Sequence, residues 1–194
     1  MRFGATMAVV VALTLTACGL NPDYVTDSQA SVLLIMAAIN GGAVLDSDVR
    51  NGVDSNIICP DTVDVSLAVR NKNLAAEAPR IPGAVLIQQY EVQYSRSDGR
   101  AEQGVDVPYT ISGAMSAALD VATSGTAELP IEVVRRQAKL DPPLSNITGF
   151  DIVTMFATIT ISGQTVSGDS VTAVGSMQID FADFGDTEES CPTG

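Results

Sequence analysis

Histidine and tryptophan are both absent from this chain, so any chemistry must come from carboxylates, a few bases, hydroxyls and three cysteines. Without histidine there is no Ser-His-Asp or Cys-His nucleophile system, and the commonest general base and zinc ligand are missing. Without tryptophan the best aromatic platform for sugars or bases is lost. No cofactor and no metal site are expected. Carboxylates dominate: 23 Asp and Glu oppose 10 Lys and Arg, for a formal charge of −13. Such a surface repels nucleic acid and anionic headgroups. Asp46, Asp48, Asp54 and Asn56 have a spacing that invites a calcium loop. Arg50 then falls on the third ligand position and Asn51 on the required glycine, which favours solvated turn residues. Asp180, Asp183, Asp186, Glu188 and Glu189 near the C-terminus read as a solvated acidic tail, because no turn glycine fixes a coordination shell. Arg135, Arg136 and Lys139 hold three of the ten basic residues. They read first as partners of the protein's own carboxylates; the alternative is contact with an acidic partner or a lipid headgroup.

Cys18 stands behind a secretory signal. Arg2 supplies its positive start, residues 6–16 its apolar stretch and Ala17 a small residue before the cut. Leu15-Thr16-Ala17-Cys18 resembles the lipobox of bacterial lipoproteins. The resemblance implies cleavage ahead of Cys18, a diacylglycerol on its sulfur and an acyl group on its amine. It divides the chain into a signal peptide (1–17), a lipidated tether (18–28) and a β-sandwich domain (29–194). An ordinary secretory signal with a chance cysteine is the alternative. The apolar run is shorter than the ~20 residues of a membrane-spanning helix. The implied partner of acylated Cys18 is a lipid bilayer, and the implied location is the bacterial envelope at its outer membrane. No polybasic segment assists, so attachment falls to several acyl chains together. With Cys18 lipidated, Cys59 and Cys191 remain, each followed by proline. An oxidising envelope favours a disulfide between them over two free thiols or a histidine-free zinc site.

The elements that would position these groups read as strands. Residues 31–39 are nearly all apolar and short, favouring a strand over a buried helix, and Asn40-Gly41-Gly42 follows as a turn. Residues 45–60 read as a loop rich in turn formers. Residues 62–70 are the clearest strand, with Val63, Val65, Leu67 and Val69 on one face. Residues 85–96 form a long strand whose apolar phase slips across Gln88-Gln89, so a bulge is required there. Within it, Tyr90-Glu91-Val92-Gln93-Tyr94 resembles the third strand of fibronectin type III and immunoglobulin-like domains. Residues 105–109 are expected to be extended around Pro108, and 110–121 continue as a strand. Residues 126–134 alternate again, with Pro130 demanding an edge position and its flanking glutamates discouraging further pairing. Residues 151–162, with Phe156 pointing outward, and 171–181 complete the set.

Seven strands between turn signals, with no convincing amphipathic helix, predict an all-β, immunoglobulin-like antiparallel β-sandwich in one domain. The functional expectation is a non-enzymatic, membrane-anchored envelope lipoprotein that acts as an interaction or scaffolding module with an envelope protein. The alternative is a surface lipoprotein that binds a cation or small ligand. A hydrolase would need two close carboxylates with divergent pKa values in a cleft, and no pair nominates itself.

Overall fold

Among the described residues the chain forms eight strands. They are β1 (Val32–Ile39), β2 (Leu45–Asp48), β3 (Asp61–Asn71), β4 (Ala84–Arg96), β5 (Ile111–Asp120), β6 (Thr126–Val134), β7 (Val153–Thr165) and β8 (Ser170–Ala182). Two-residue alternation of apolar and polar side chains is clearest in β3, β6, β7 and β8. A single helical turn, α1 (Arg136–Leu140), follows β6. The computed structural model describes residues 30–50, 58–72, 84–120, 126–184 and 191. The strands form two sheets, ordered β1-β3-β6 and β2-β8-β7-β4-β5. All neighbours pair antiparallel except β2 and β8, which run parallel from Leu45 opposite Ile179 to Asp48 opposite Ala182. Taking β1 and β2 as one first strand that changes sheets, the order is A-B-E against A′-G-F-C-C′. That is the arrangement of an immunoglobulin-like sandwich.

The core lies between the sheets. Val63, Val65, Leu67 and Val69 of β3 face Met155, Ala157, Ile159 and Ile161 of β7 and Ile179 and Phe181 of β8, all buried. The expected bulge in β4 is present: its register slips between Ile87 and Gln89 against both β5 and β7. The slip returns Val85 and Ile87 to the buried side with Val92 and Tyr94. At the slip Ile87 faces Gly163, and a Cβ on Gly163 would lie 2.4 Å from the Leu86 carbonyl oxygen. Backbone cannot retreat as a flexible side chain can. Gly163→Ala is therefore expected to cost about 1–3 kcal/mol in urea unfolding, the usual range for overpacking. An unchanged midpoint would mean that β4 and β7 separate freely here.

Three expectations need correction. The loop proposed for residues 45–60 begins with a strand, β2, making eight strands rather than seven and one parallel pair in an otherwise antiparallel sandwich. Its Leu-Asp-Ser-Asp sequence has a turn-like composition; the exposed edge of β8 supplies the pairing that composition withholds. The stretch expected to be extended over residues 105–109 opens instead with a turn through residues 104–106, and Val107 forms an isolated bridge with Gln103. The Glu102 carbonyl accepts the N–H groups of Val105, Asp106 and Val107 in a tight turn that Gly104 permits at φ +77°. Strand β7 runs on to Thr165, beyond the boundary expected at residue 162.

Pro130 lies on β6, an edge strand as its missing N–H requires, opposite Asp64. Phe156 is outward and 39% exposed, as expected. Cys59, just ahead of β3, is joined to Cys191 in a disulfide with Cα atoms 5.3 Å apart and a sequence separation of 132.

Candidate functional site

The polar constellation inside the fold lies at one end of the sandwich, where β2, β3 and α1 meet. Alternation along β2 turns Ser47 inward, and it is completely buried. Asp61 opens β3 two residues after the disulfide, opposite Val134 at the end of β6. The chain then turns through Arg135 into α1, which carries Lys139 back over the end of the core. Lys139 is 2% exposed, and its Nζ lies 3.0 Å from Oδ1 and 2.9 Å from Oδ2 of Asp61. The Ser47 hydroxyl donates to Asp61 Oδ2 at 2.5 Å. Burial pushes the Asp61 carboxyl above its ordinary value, while the Lys139 charge and the Ser47 and Lys139 hydrogen bonds pull it back.

This cluster joins three elements from both sheets and is closed as chemistry. Ser47 gives its proton to a carboxylate already held by an ammonium, so no free base activates the hydroxyl. Nothing in solution reaches Ser47. The second link between the sheets is Tyr94 on β4, whose hydroxyl donates to the Val133 carbonyl on β6. Burial raises the Tyr94 pKa, so the phenol stays protonated and remains a donor.

The three bases offered as a partner contact separate. Lys139 is withdrawn from that role, because its side chain points into the core and its charge is neutralised by Asp61. Arg135 and Arg136 are exposed. Arg135 is also tied inward: Nη2 donates to the Ser112 carbonyl of β5 at 2.8 Å, and Nε lies 3.8 Å from Glu132. Local pairing therefore accounts for Lys139 and part of Arg135, while Arg136 faces water.

Two of the acidic candidates are engaged locally. Asp48 accepts the Arg50 N–H at 3.0 Å, and Asp180 accepts from Thr154 and Gln178. Among the described residues no group of three or more His, Cys, Asp or Glu is placed to hold a metal. Cys18, Asp54, Asn56, Asp186, Glu188 and Glu189 lie outside the described residues.

The same end of the sandwich carries more than half of the large exposed apolar side chains among the described residues. Val105 and Tyr109 lie on the β4–β5 loop, and Leu140, Phe150 and Ile152 between β6 and β7. These are five of the nine large exposed apolar residues among those described, so the set is concentrated rather than scattered. Between the two segments runs a groove of about 130 Å³, lined by Tyr109 and Ile111 on one side and Arg135, Ala138 and Pro142 on the other. Its loop wall is braced by Arg100, which pairs with Asp98 at 2.7 Å and Asp106 at 3.3 Å. Val32 pairs with Asn71 at the far end of β3 from Asp61, so β1 begins at the opposite end of the sandwich from these loops.

Ser47, Asp61 and Tyr94 were not singled out by the sequence as polar links. Tyr94 alone carried a signal, as a tyrosine on the buried face of a strand, where a hydroxyl needs a partner. No family model matches the chain, and comparisons with curated proteins and with solved structures find no match.

Proposed function

We propose that this protein is a lipid-anchored, non-enzymatic interaction module of the bacterial envelope, fastened through acylated Cys18 and presenting the loop end of its sandwich to a protein partner. The observation that carries this reading is the concentration of Tyr109, Phe150, Ile152 and their neighbours at the end away from where β1 begins. A tether that enters β1 sets that end away from the bilayer. Its ~10 residues reach at most ~35 Å, so the partner would lie within one domain's length of the membrane. The closed Ser47–Asp61–Lys139 cluster supports a structural use of the buried polar groups rather than a catalytic one.

The anchor is tested by Cys18→Ser. The variant is expected to lose palmitate labelling and to leave the membrane fraction. Retention in membranes without label would refute the lipid anchor. The interaction is tested by a photo-crosslinking amino acid at Phe150 in intact cells, which is expected to give one discrete adduct. A probe that yields no adduct there, while a probe on the far Ser167 turn does, would reverse the proposed orientation.

A further inference from the structure

The edges of the two sheets are not protected alike. Edge strands offer unpaired N–H and C=O groups, and folded proteins blunt them with charge, proline, bulges or brevity. β6 carries Pro130 between Glu128 and Glu132. β2 has four residues, and β1 is broken by a register shift between Met36 and Ala38 before the chain changes sheets. β5 has neither the brevity nor the proline of the others; its one irregularity is the register slip against β4, where Met115 and Ser116 stand opposite Gln88. It runs ten residues from Ile111 to Asp120, bears no charge or proline until Asp120, and pairs on one side only, with β4.

Geometry says which of its backbone groups are open. Arg135 reaches the Ser112 carbonyl from the side away from β4. Alternation then turns the N–H and C=O of Ala114 outward as well, and the burial pattern of β5, which keeps its two-residue period across the slip, carries the same orientation to Ser116 and Ala118. Side chains at these outward positions are small and exposed, and among the described residues no strand pairs with this side of β5. The edge also leads into the groove beside Tyr109, because Thr110 and Ile111 line both.

Resting on the reading of this protein as an interaction module, we propose that the free edge of β5 is where the partner binds, by adding an extended segment rich in lysine or arginine to the five-stranded sheet. Main-chain hydrogen bonds supply the pairing in this mode. Charge selects the occupant. Glu91 on β4 stands opposite Ser112, and Glu132 on β6 reaches the same place through Arg135, whose charge it and the Ser112 carbonyl already hold. A second copy would bring another −13 to the same place, whereas a basic segment relieves the local repulsion.

The test uses the full chain in detergent micelles, a ten-residue peptide alternating valine and lysine, and its valine–glutamate counterpart. Hydrogen exchange is read residue by residue. The basic peptide is expected to slow exchange by about tenfold or more at Ala114, Ser116 and Ala118, with no slowing in β6. The acidic peptide is expected to do nothing. Ser116→Pro removes an outward N–H that β4 does not use, and should abolish the protection with little change in melting temperature. Should that variant misfold, the alternating pattern in the unaltered protein still decides the matter. Protection elsewhere, protection by both peptides, or none would overturn the proposal. So would a concentration-dependent dimer with those amides already protected, since the occupant would then be a second copy. If the peptide fails while the Phe150 probe still captures its partner, the edge is wrong and the interaction reading stands.

Discussion

The Cys59→Ala/Cys191→Ala double variant is expected to lose about 3–5 kcal/mol of stability in urea unfolding, one of the two largest effects anticipated here. The bridge closes 132 residues, which include β3 to β8. Cross-linking removes most of its free energy from the unfolded chain, and chain entropy puts a loop of this length near the top of the disulfide range. In a chain of this size the loss corresponds to a drop of roughly 10–15 °C in Tm. Reduction of the native protein should give the same shift, because it acts on the same loop. The local contribution is separate: Cys59 stands two residues before Asp61, so the bridge also holds the start of β3 beneath α1. A loss below about 1 kcal/mol in the double variant would show that the unfolded chain stays compact enough to make the bridge redundant.

Lys139→Met is expected to cost about 3–5 kcal/mol at neutral pH. Methionine keeps the volume and removes the charge, leaving the Asp61 carboxylate buried against Ser47 without a counter-ion. Adding Asp61→Asn should recover most of the loss, since the uncompensated charge and not the missing lysine is what destabilises. The pH dependence follows from the raised Asp61 value. A carboxyl whose folded pKa lies above its unfolded value contributes stability that is complete below the unfolded value of 3.8 and is lost as pH rises through the folded one. Removing Lys139 takes away an influence that lowers this pKa, so the folded value in the variant moves higher still. The gap between the native protein and Lys139→Met should therefore be widest near pH 7 and narrow towards pH 4, as Asp61 takes up its proton. Urea unfolding at the two pH values measures it. A gap independent of pH would mean that the lost packing of the lysine stem, not the ion pair, sets the cost.

Both effects depend on long-range partners, and that is where the limit of the sequence falls. Alternation alone specified the faces of β3, β7 and β8, because a two-residue period with one apolar face has one stable register against a core. The phase slip at Gln88-Gln89 was legible for the same reason: a strand that buries Val85 and Ile87 as well as Val92 and Tyr94 must insert a residue. Pro130 announced an edge because it has no N–H for a second neighbour. The pairing of Cys59 with Cys191 followed from setting Cys18 aside as a lipidation site and from expecting an oxidising compartment, not from any pattern around the two residues.

Tertiary structure alone decided three things. It made Leu45–Asp48 a strand, since the pairing comes from β8, more than 130 residues away, and outweighs a turn-like composition. It placed a tight turn at residues 104–106, at the start of the stretch where extended chain was expected. Most of all, it buried Lys139. Nothing in Arg135-Arg136-Gln137-Ala138-Lys139 separates one base from the next, and the carboxylate that selects Lys139 lies 78 residues earlier in the chain. Local sequence sets which face of an element is apolar, whereas a single charge goes inside only where the folded chain delivers its counter-charge, and that delivery is a property of the whole sandwich.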